Sequence, residues 1–517
     1  MDSHKYSRAS KNEKGKEKKD FSNDDSKLRR YIMLTYYLII LLGIPIWWKT
    51  TTYYRASLPF YEMENTRYQL ESNLRFTPTF RITGDPTGKL THLSDKLINE
   101  EPQYSFYNIQ FATSEAADYA ICLAKSSENS WYWKGRDLHL NYKENFSENE
   151  IAIMLVNRLY EVFSPEIMDI SAKYSRLTSK NLPFEFYNKR AIQFSPQYRI
   201  LLSLFLGEGS HDLRGWEIES AIAKYLQPLI QQLSQIMNLS VESQVQYFVD
   251  DPPVYFKEGE YRTAFADFPK VVNNFEKYLS VNPNVREPTL HFVLYVPPKE
   301  IQPLKLEDQY GKEVATNSML LPQWGSIIIT NTNNSASNYL QDSDMKSQFR
   351  TISRDLLLLL GVDDFLSFSL SPVVMERMLR QRIAESLVGT TDTLLNLAKL
   401  IKSIENMAVP KEIQSYVKEA LKSLDLAYNT LSERKLNLTL SHSTNAFEKA
   451  QKALFHSSMV TTVYFPDESK YGIYAPLFAP IMIPLILSLV KEIRGALKSM
   501  LGSFRRRKAS TNETNDL

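Results

Sequence analysis

Two uncharged apolar runs bracket almost the whole chain, and any fold it adopts has to accommodate both. The first, Tyr31 to Trp48, follows Lys27, Arg29 and Arg30. The second, Tyr471 to Val490, runs into Lys491, Arg494, Lys498 and the cluster Arg505 to Lys508. At about 1.5 Å of rise per residue, each run covers roughly 27–30 Å, the thickness of a bilayer's hydrocarbon. Neither shows the polar stripe of a buried core helix, so both are expected to be transmembrane helices. The alternative for the first run is a cleaved signal peptide. It begins only at residue 31, however, is long for such a segment, and has no small-x-small site after it.

Basic residues set the expected orientation. Residues 1 to 30 hold ten Lys/Arg against six Asp/Glu, and residues 491 to 517 hold seven against three, so each tail is +4. The chain total is +2, which leaves residues 31 to 490 at 2 − 8 = −6. Both tails are therefore expected to be cytosolic, with the bulk of the chain across the membrane. Trp47 and Trp48 are then candidates for the far membrane interface. In the second run Pro476, Pro480 and Pro484 are spaced four apart and share a helix stripe. Pro480 and Pro484 lack the N–H groups that the carbonyls of Pro476 and Pro480 would accept, so this stripe is expected to face protein or a polar cleft.

The intervening 420 or so residues are ample for a large core. A negative mean hydropathy argues against a polytopic transporter. Four N-x-Ser/Thr sequons lie between the runs, at Asn145, Asn238, Asn333 and Asn437, and these are the glycosylation candidates. A fifth, at Asn512, falls in the C-terminal tail and is expected to stay unmodified. The single cysteine, Cys122, excludes any intrachain disulfide.

The pattern divides the chain into a disordered basic tail (1–30), a first span (31–48), an α/β domain (49–371), a helical segment (372–470), a second span (471–490) and a basic tail (491–517). Residues 55 to 80 read as an irregular lead. Strands are expected at Phe106 to Thr113, Ala120 to Ala124, Asp137 to Tyr142, Tyr198 to Leu206, Val241 to Val249, Leu290 to Val296 and Ser326 to Thr330. Helices are expected over Glu148 to Phe163, along Trp216 to Ile236, and from Met345 to Leu359, the last stopped by Gly361. Three further stripes, beginning at Leu394, Ile413 and Ala446, predict a hairpin or small bundle. The fold class is thus a large mixed α/β domain with a helical bundle, flanked by two transmembrane helices.

Catalytic signals are weak. Cys122 with His139 has the residue types of a nucleophile and base, but Cys122 lies in an apolar strand-like run and reads as a small buried core residue. Ser210, His211 and Asp212 are adjacent on the backbone, so they point apart and read as a turn. Asp250-Asp251 and Asp363-Asp364 read as turn residues too. The seven histidines are scattered, with no metal-ligand spacing. No phosphate loop, cofactor site or nucleic-acid-binding stripe is evident.

Blocks beside both apolar runs carry a resemblance. Gly43-Ile44-Pro45-Ile46-Trp47-Trp48 ends the first, and Tyr54-Arg55-Ala56-Ser57-Leu58-Pro59 follows it. Tyr464-Phe465-Pro466-Asp467-Glu468 precedes the second, and Tyr474-Ala475-Pro476-Leu477-Phe478 lies within it. With Trp216 to Glu219, Leu239 to Gln244, Leu294 to Pro297, Val314 to Asn317 and Trp324-Gly325, the chain from about residue 38 to 495 resembles the phosphatidylinositol-glycan class S family. The resemblance implies a non-catalytic subunit of the glycosylphosphatidylinositol (GPI) transamidase of the endoplasmic reticulum, which supports assembly and substrate presentation. That complex replaces a C-terminal signal of a precursor protein with a GPI lipid. The implied partners are a caspase-like catalytic subunit and PIG-T-like, GAA-like and PIG-U-like subunits, together with membrane lipid, GPI being a candidate. No cofactor, metal or nucleic acid is implied.

Overall fold

The computed structural model describes residues 28, 31–46, 49, 54–85, 88–100, 106–112, 117–178, 191–208, 213–279, 287–332, 338–362, 368–404, 407–459, 472, 476, 478–491, 493–495 and 497–498. They divide into two compact units. The larger comprises Pro59–Ala398 and Val417–Gln451; the smaller comprises the chain to Leu58, Lys399–Tyr416 and the chain from Lys452.

The larger unit opens with helix α1 (Phe60–Asn73), where the sequence reads as an irregular lead. The helix is easily missed because its face toward the core is only Met63, Thr66 and Leu70, one of them polar. Strand β1 (Thr79–Thr83), helix α2 (Lys89–Glu100) and strands β2 (Gln110–Phe111), β3 (Tyr119–Ser126), β4 (Ser130–Lys134) and β5 (Asp137–Lys143) follow. They form a sheet of order β2-β1-β3-β5-β4, parallel except for the β4/β5 edge pair. Helix α3 (Glu148–Thr178) packs on it and runs straight through Pro165. Sequence pattern alone ends this helix at Phe163. Tertiary packing carries it on, because Ile167 and Ile170 are buried on the far side of the proline, as Phe163 is before it.

The second sheet is built on β6 (Gln197–Gly207), whose apolar run is buried on both faces, as suits a central parallel strand. Short strand β7 (Gly215–Trp216) precedes helix α4 (Ile218–Ala221), a π-helical turn at Ile222–Leu226, and helix α5 (Gln227–Leu233). The apolar pattern from Trp216 to Ile236 is therefore not one helix. Trp216 pairs in a strand with Leu340, and the π turn resets the register before α5. Next come β8 (Asn238–Val249), β9 (Tyr255–Lys257), β10 (Glu260–Ala264), helix α6 (Phe268–Glu276), β11 (Thr289–Val296), β12 (Leu304–Glu307), β13 (Ser318–Leu321), β14 (Gly325–Ile329) and β15 (Tyr339–Leu340). The main order is β13-β14-β11-β6-β8, and β12-β10-β9 make a small satellite sheet.

Helix α7 (Lys346–Leu359) ends as its sequence predicts. Gly361, at φ +81°, donates to Leu358 O at 3.0 Å, and Val362 donates to Leu357 O at 2.8 Å, a Schellman closure. Three long helices complete the fold: α8 (Pro372–Ser403), α9 (Lys411–Ser432) and α10 (Leu436–Leu454). Leu394, Leu397, Val417, Ala420, Leu424, Ala446 and Ala450 are fully buried. The helices are not a separate bundle, because Leu424, Tyr428 and Ala446 share one continuous core with both sheets.

In the smaller unit, residues 54–56 pair with Val409: its N–H donates to Tyr54 O at 3.0 Å, and its carbonyl accepts from Ala56 N at 2.8 Å. The Arg55 Nη2 atom donates to the Ile401 carbonyl at 2.9 Å, closing the last turn of α8. Helical backbone runs through 31–46 and 478–491. Tyr37 Oη donates to Leu485 O at 2.6 Å, so these two helices lie side by side. Among the described residues no helix is long and apolar enough to cross a membrane, and parts of both expected spans lie outside those residues, Trp47 and Trp48 included. Pro476, Pro480 and Pro484 sit on helical backbone and are exposed.

Candidate functional site

The parallel strands of the first sheet start on one edge, and that edge opens into a cleft of about 530 Å³. Its floor is the lead-in to β1 (Arg75 to Pro78), Asp118 and Tyr119 at the start of β3, and Arg136 just before β5. The walls are helical: Gln232 and Gln235 near the end of α5, the first turns of α8, and the α9–α10 turn with Leu431, Arg434 and Asn437. Open α/β sheets usually bind ligands at the opposite, carboxyl edge, so the fold class would not have pointed here.

A buried charge network forms the back wall. Arg380 Nε and Nη2 donate to the two carboxylate oxygens of Glu166 at 2.7 and 3.0 Å, a bidentate pair with side chains 5% and 0% exposed. Arg380 Nη1 also donates to Tyr119 Oη at 3.0 Å. The Tyr119 hydroxyl in turn donates to Glu376 Oε2 at 2.5 Å, and Glu376 Oε1 accepts from Arg136 Nη2 at 2.5 Å. Burial pushes the Tyr119 phenol well above its ordinary range. The Glu166 carboxyl is pushed up by burial, with Arg380 pulling the other way.

The front of the cleft is exposed and basic. Arg434 reaches Thr79 Oγ1 at 3.1 Å and Asp118 Oδ2 at 3.9 Å. It does so from a left-handed backbone, φ +59°, at the position where α9 closes through Arg434 N to Leu431 O and Lys435 N to Thr430 O. Glycine normally fills that position, and a side chain there costs about 1 kcal/mol. Exposed Arg75 has no ion pair among the described residues. Sequence reasoning missed the cleft because its members come from six separate segments. One signal was present: the stop after α9 reads Ser432-Glu433-Arg434-Lys435, with no glycine.

The residues singled out from sequence do not converge. Cys122 and His139 do lie opposite each other on β3 and β5. Cys122 is half-buried and not a core residue. Strand alternation sends Tyr119 and Ile121 into the core and turns Cys122 to the other face, where His139 stacks on Tyr132 at 4.8 Å. Asn145 lies exposed in the turn after β5, Asn238 is exposed at the start of β8, and Asn437 is exposed on the first turn of α10. Asn333, the Ser210-His211-Asp212 triplet and Asp363-Asp364 lie outside the described residues. Asp251 accepts a hydrogen bond from Tyr295 Oη at 2.5 Å.

Several resemblance blocks act as backbone stitching. Besides Arg55, Asn317 accepts from Leu306 N at 2.8 Å through Oδ1, and through Nδ2 it donates to Leu304 O and Ile329 O at 3.0 and 3.1 Å. Gly325 (φ +140°) lies so close to His291 that an added Cβ would fall 1.8 Å from its carbonyl oxygen.

Comparison with known proteins points in one direction. Residues 34–499 match the family described as phosphatidylinositol-glycan biosynthesis class S protein. The chain is 52% identical over 474 residues to the GPI transamidase component PIG-S homolog of Schizosaccharomyces pombe, covering 92% of this chain and 85% of the relative. It is 28% identical over 503 residues to the GPI-anchor transamidase component PIGS of Bos taurus, covering 85% and 90% respectively. A GPI transamidase component of Saccharomyces cerevisiae is 24% identical over 486 residues, covering 88% and 90%.

Proposed function

We propose a role whose premise is established: the chain belongs to the phosphatidylinositol-glycan class S family, whose relatives are named as GPI transamidase components. It is a component of that complex, and the role proposed is non-catalytic support of assembly and substrate presentation. The observation that carries this reading is the use of the resemblance blocks. Arg55, Asn317 and Gly325 are committed to main-chain hydrogen bonds and close strand packing, which is work done for shape. The complex supplies the implied partners: a caspase-like catalytic subunit and PIG-T-like, GAA-like and PIG-U-like subunits. Replacing Cys122 and His139 together by Ala, in cells lacking the native chain, should leave anchor attachment and complex assembly intact. Loss of attachment with normal assembly would overturn the reading.

The same proposal places the protein in the endoplasmic reticulum membrane with both termini cytosolic and residues 49–470 lumenal. Its support is the +4 charge of each tail and the large apolar side chains exposed along 31–46 and 478–491, such as Leu34, Leu41, Ile481 and Leu487. Protease added to sealed microsomes should remove the tails alone; digestion of the centre refutes the topology. The proline stripe of the second run is proposed to face a transmembrane partner. A photo-crosslinker at Ile481 should capture a subunit more efficiently than one at Leu489, and equal lipid labelling at both positions refutes it.

A further inference from the structure

We infer that the cleft binds a phosphate group carried on a hydroxyl-rich head, that is, a phosphorylated sugar or polyol. The inference stands on the cleft's own chemistry and does not depend on the subunit role. Four arginines and two carboxylates line the space; with Arg380 paired to Glu166 behind the wall, the surplus is 3 − 2 = 1 positive charge. Arg380 is already neutralised from behind by Glu166, so the groups that can meet a ligand are Arg75, Arg136 and Arg434. Arg75 is exposed with no ion pair among the described residues, and Arg434 is kept at a strained backbone position that glycine would fill without cost. Strain that persists where a cheaper residue exists points to a use for the side chain. The first turn of α8 lines the same side through Pro372 and Met375, and its dipole is positive there.

The remaining lining selects the rest of the ligand. Asp118 and Glu376 would repel an acidic peptide, yet they are the acceptors that sugar hydroxyls require, and Gln235 and Asn437 supply further amide groups. The volume is within the range of small-molecule sites.

The test uses the full chain in mild detergent and measures heat of binding for four probes: glucose 6-phosphate, inorganic phosphate, glucose and a polyglutamate peptide. Glucose 6-phosphate should bind saturably and at least about ten-fold tighter than inorganic phosphate or glucose. Arg75→Glu and Arg434→Gly should each weaken it at least about ten-fold. Arg434→Gly fits the left-handed backbone and should not lower the melting temperature, so loss of binding there is not loss of fold. Arg75→Glu changes an exposed side chain with no ion pair among the described residues and provides the second reading. Phosphatidylinositol doped into the micelles should displace the sugar phosphate if the natural source is a lipid head group, and should fail to do so if it is a soluble metabolite. Both outcomes keep the site. Equal binding by wild type and both variants, tighter binding of polyglutamate, or no saturation by about 10 mM glucose 6-phosphate overturns it.

Discussion

Removing Arg380 is the sharpest probe of how this domain is held together. The Arg380→Met variant keeps most of the apolar stem over Phe163, whose ring centre lies 5.6 Å from the guanidinium carbon. It strips the fully buried Glu166 of both short hydrogen bonds and leaves only Tyr107 Oη, at 3.5 Å. A buried charge left without its partner costs roughly 3–5 kcal/mol, a large share of the ~5–15 kcal/mol by which folded domains are stable. The pH dependence follows from signs. Burial raises the Glu166 carboxyl above 4.5 while Arg380 opposes that rise, so removing Arg380 lets the folded-state value climb further. A carboxyl with a raised folded-state value favours the fold when protonated, so its contribution is present at low pH and is lost as pH rises through that value. The variant's deficit should therefore be large at pH 7.5 and shrink toward pH 5. Urea midpoints of wild type, Arg380→Met, Glu166→Gln and the double variant at pH 7.5, 6 and 5 provide the assay. The double variant should recover most of the loss, because it buries no unpaired charge. A deficit that is the same at every pH, or a double variant as unstable as the sum of the singles, refutes the reasoning.

Three further outcomes are expected. Gly325→Ala, which would set a Cβ 1.8 Å from His291 O at φ +140°, should cost roughly 3 kcal/mol or more in a denaturant titration. His291 is held neutral, burial and then Arg199 lowering it from 6.5 to about 4. Its stabilising contribution is present above pH 6.5 and is lost as pH falls toward 4, so a His291→Gln variant should show a flatter acid limb in melting temperature over that window. Asp251 is raised from 3.8, chiefly by burial, with the Tyr295 hydrogen bond opposing. Asp251→Asn keeps an acceptor for Tyr295 without the charge, so it should melt higher than wild type at pH 7 and converge with it below about pH 4.

Periodicity was reliable where burial follows one period. The stripes through Val417, Ala420 and Leu424 and the apolar run of β6 are buried as their spacing implies. It failed where a long-range contact overrides local preference. The amphipathic pattern ends at Phe163, yet the helix continues, and the buried Glu166 beyond Pro165 is held by Arg380, more than two hundred residues later. It failed again at α1, whose buried face includes a threonine. The cleft was illegible for a different reason: Arg75, Tyr119, Arg136 and Arg434 share no local pattern, and only the topology of the first sheet and the α9–α10 turn brings them together.

The sequon at Asn437 sets an order of events. Attachment at N-x-Thr requires the modifying enzyme to read the hydroxyl as well as the amide, but Thr439 is fully buried, with its Oγ1 3.0 Å from both Thr430 Oγ1 and Lys435 O and its one proton committed between them. Once α9 closes against α10, the acceptor can no longer be presented in extended form. Under the proposed lumenal placement, sugar would therefore have to be added while the chain is still emerging, or never. The choice is permanent for that molecule, and because Asn437 lines the cleft, it would split newly made chains into two populations, one with an open mouth and one with a covalently blocked mouth. If the proposed lumenal placement and ligand site both hold, the folding rate of the last helices would set how many copies keep an open cleft.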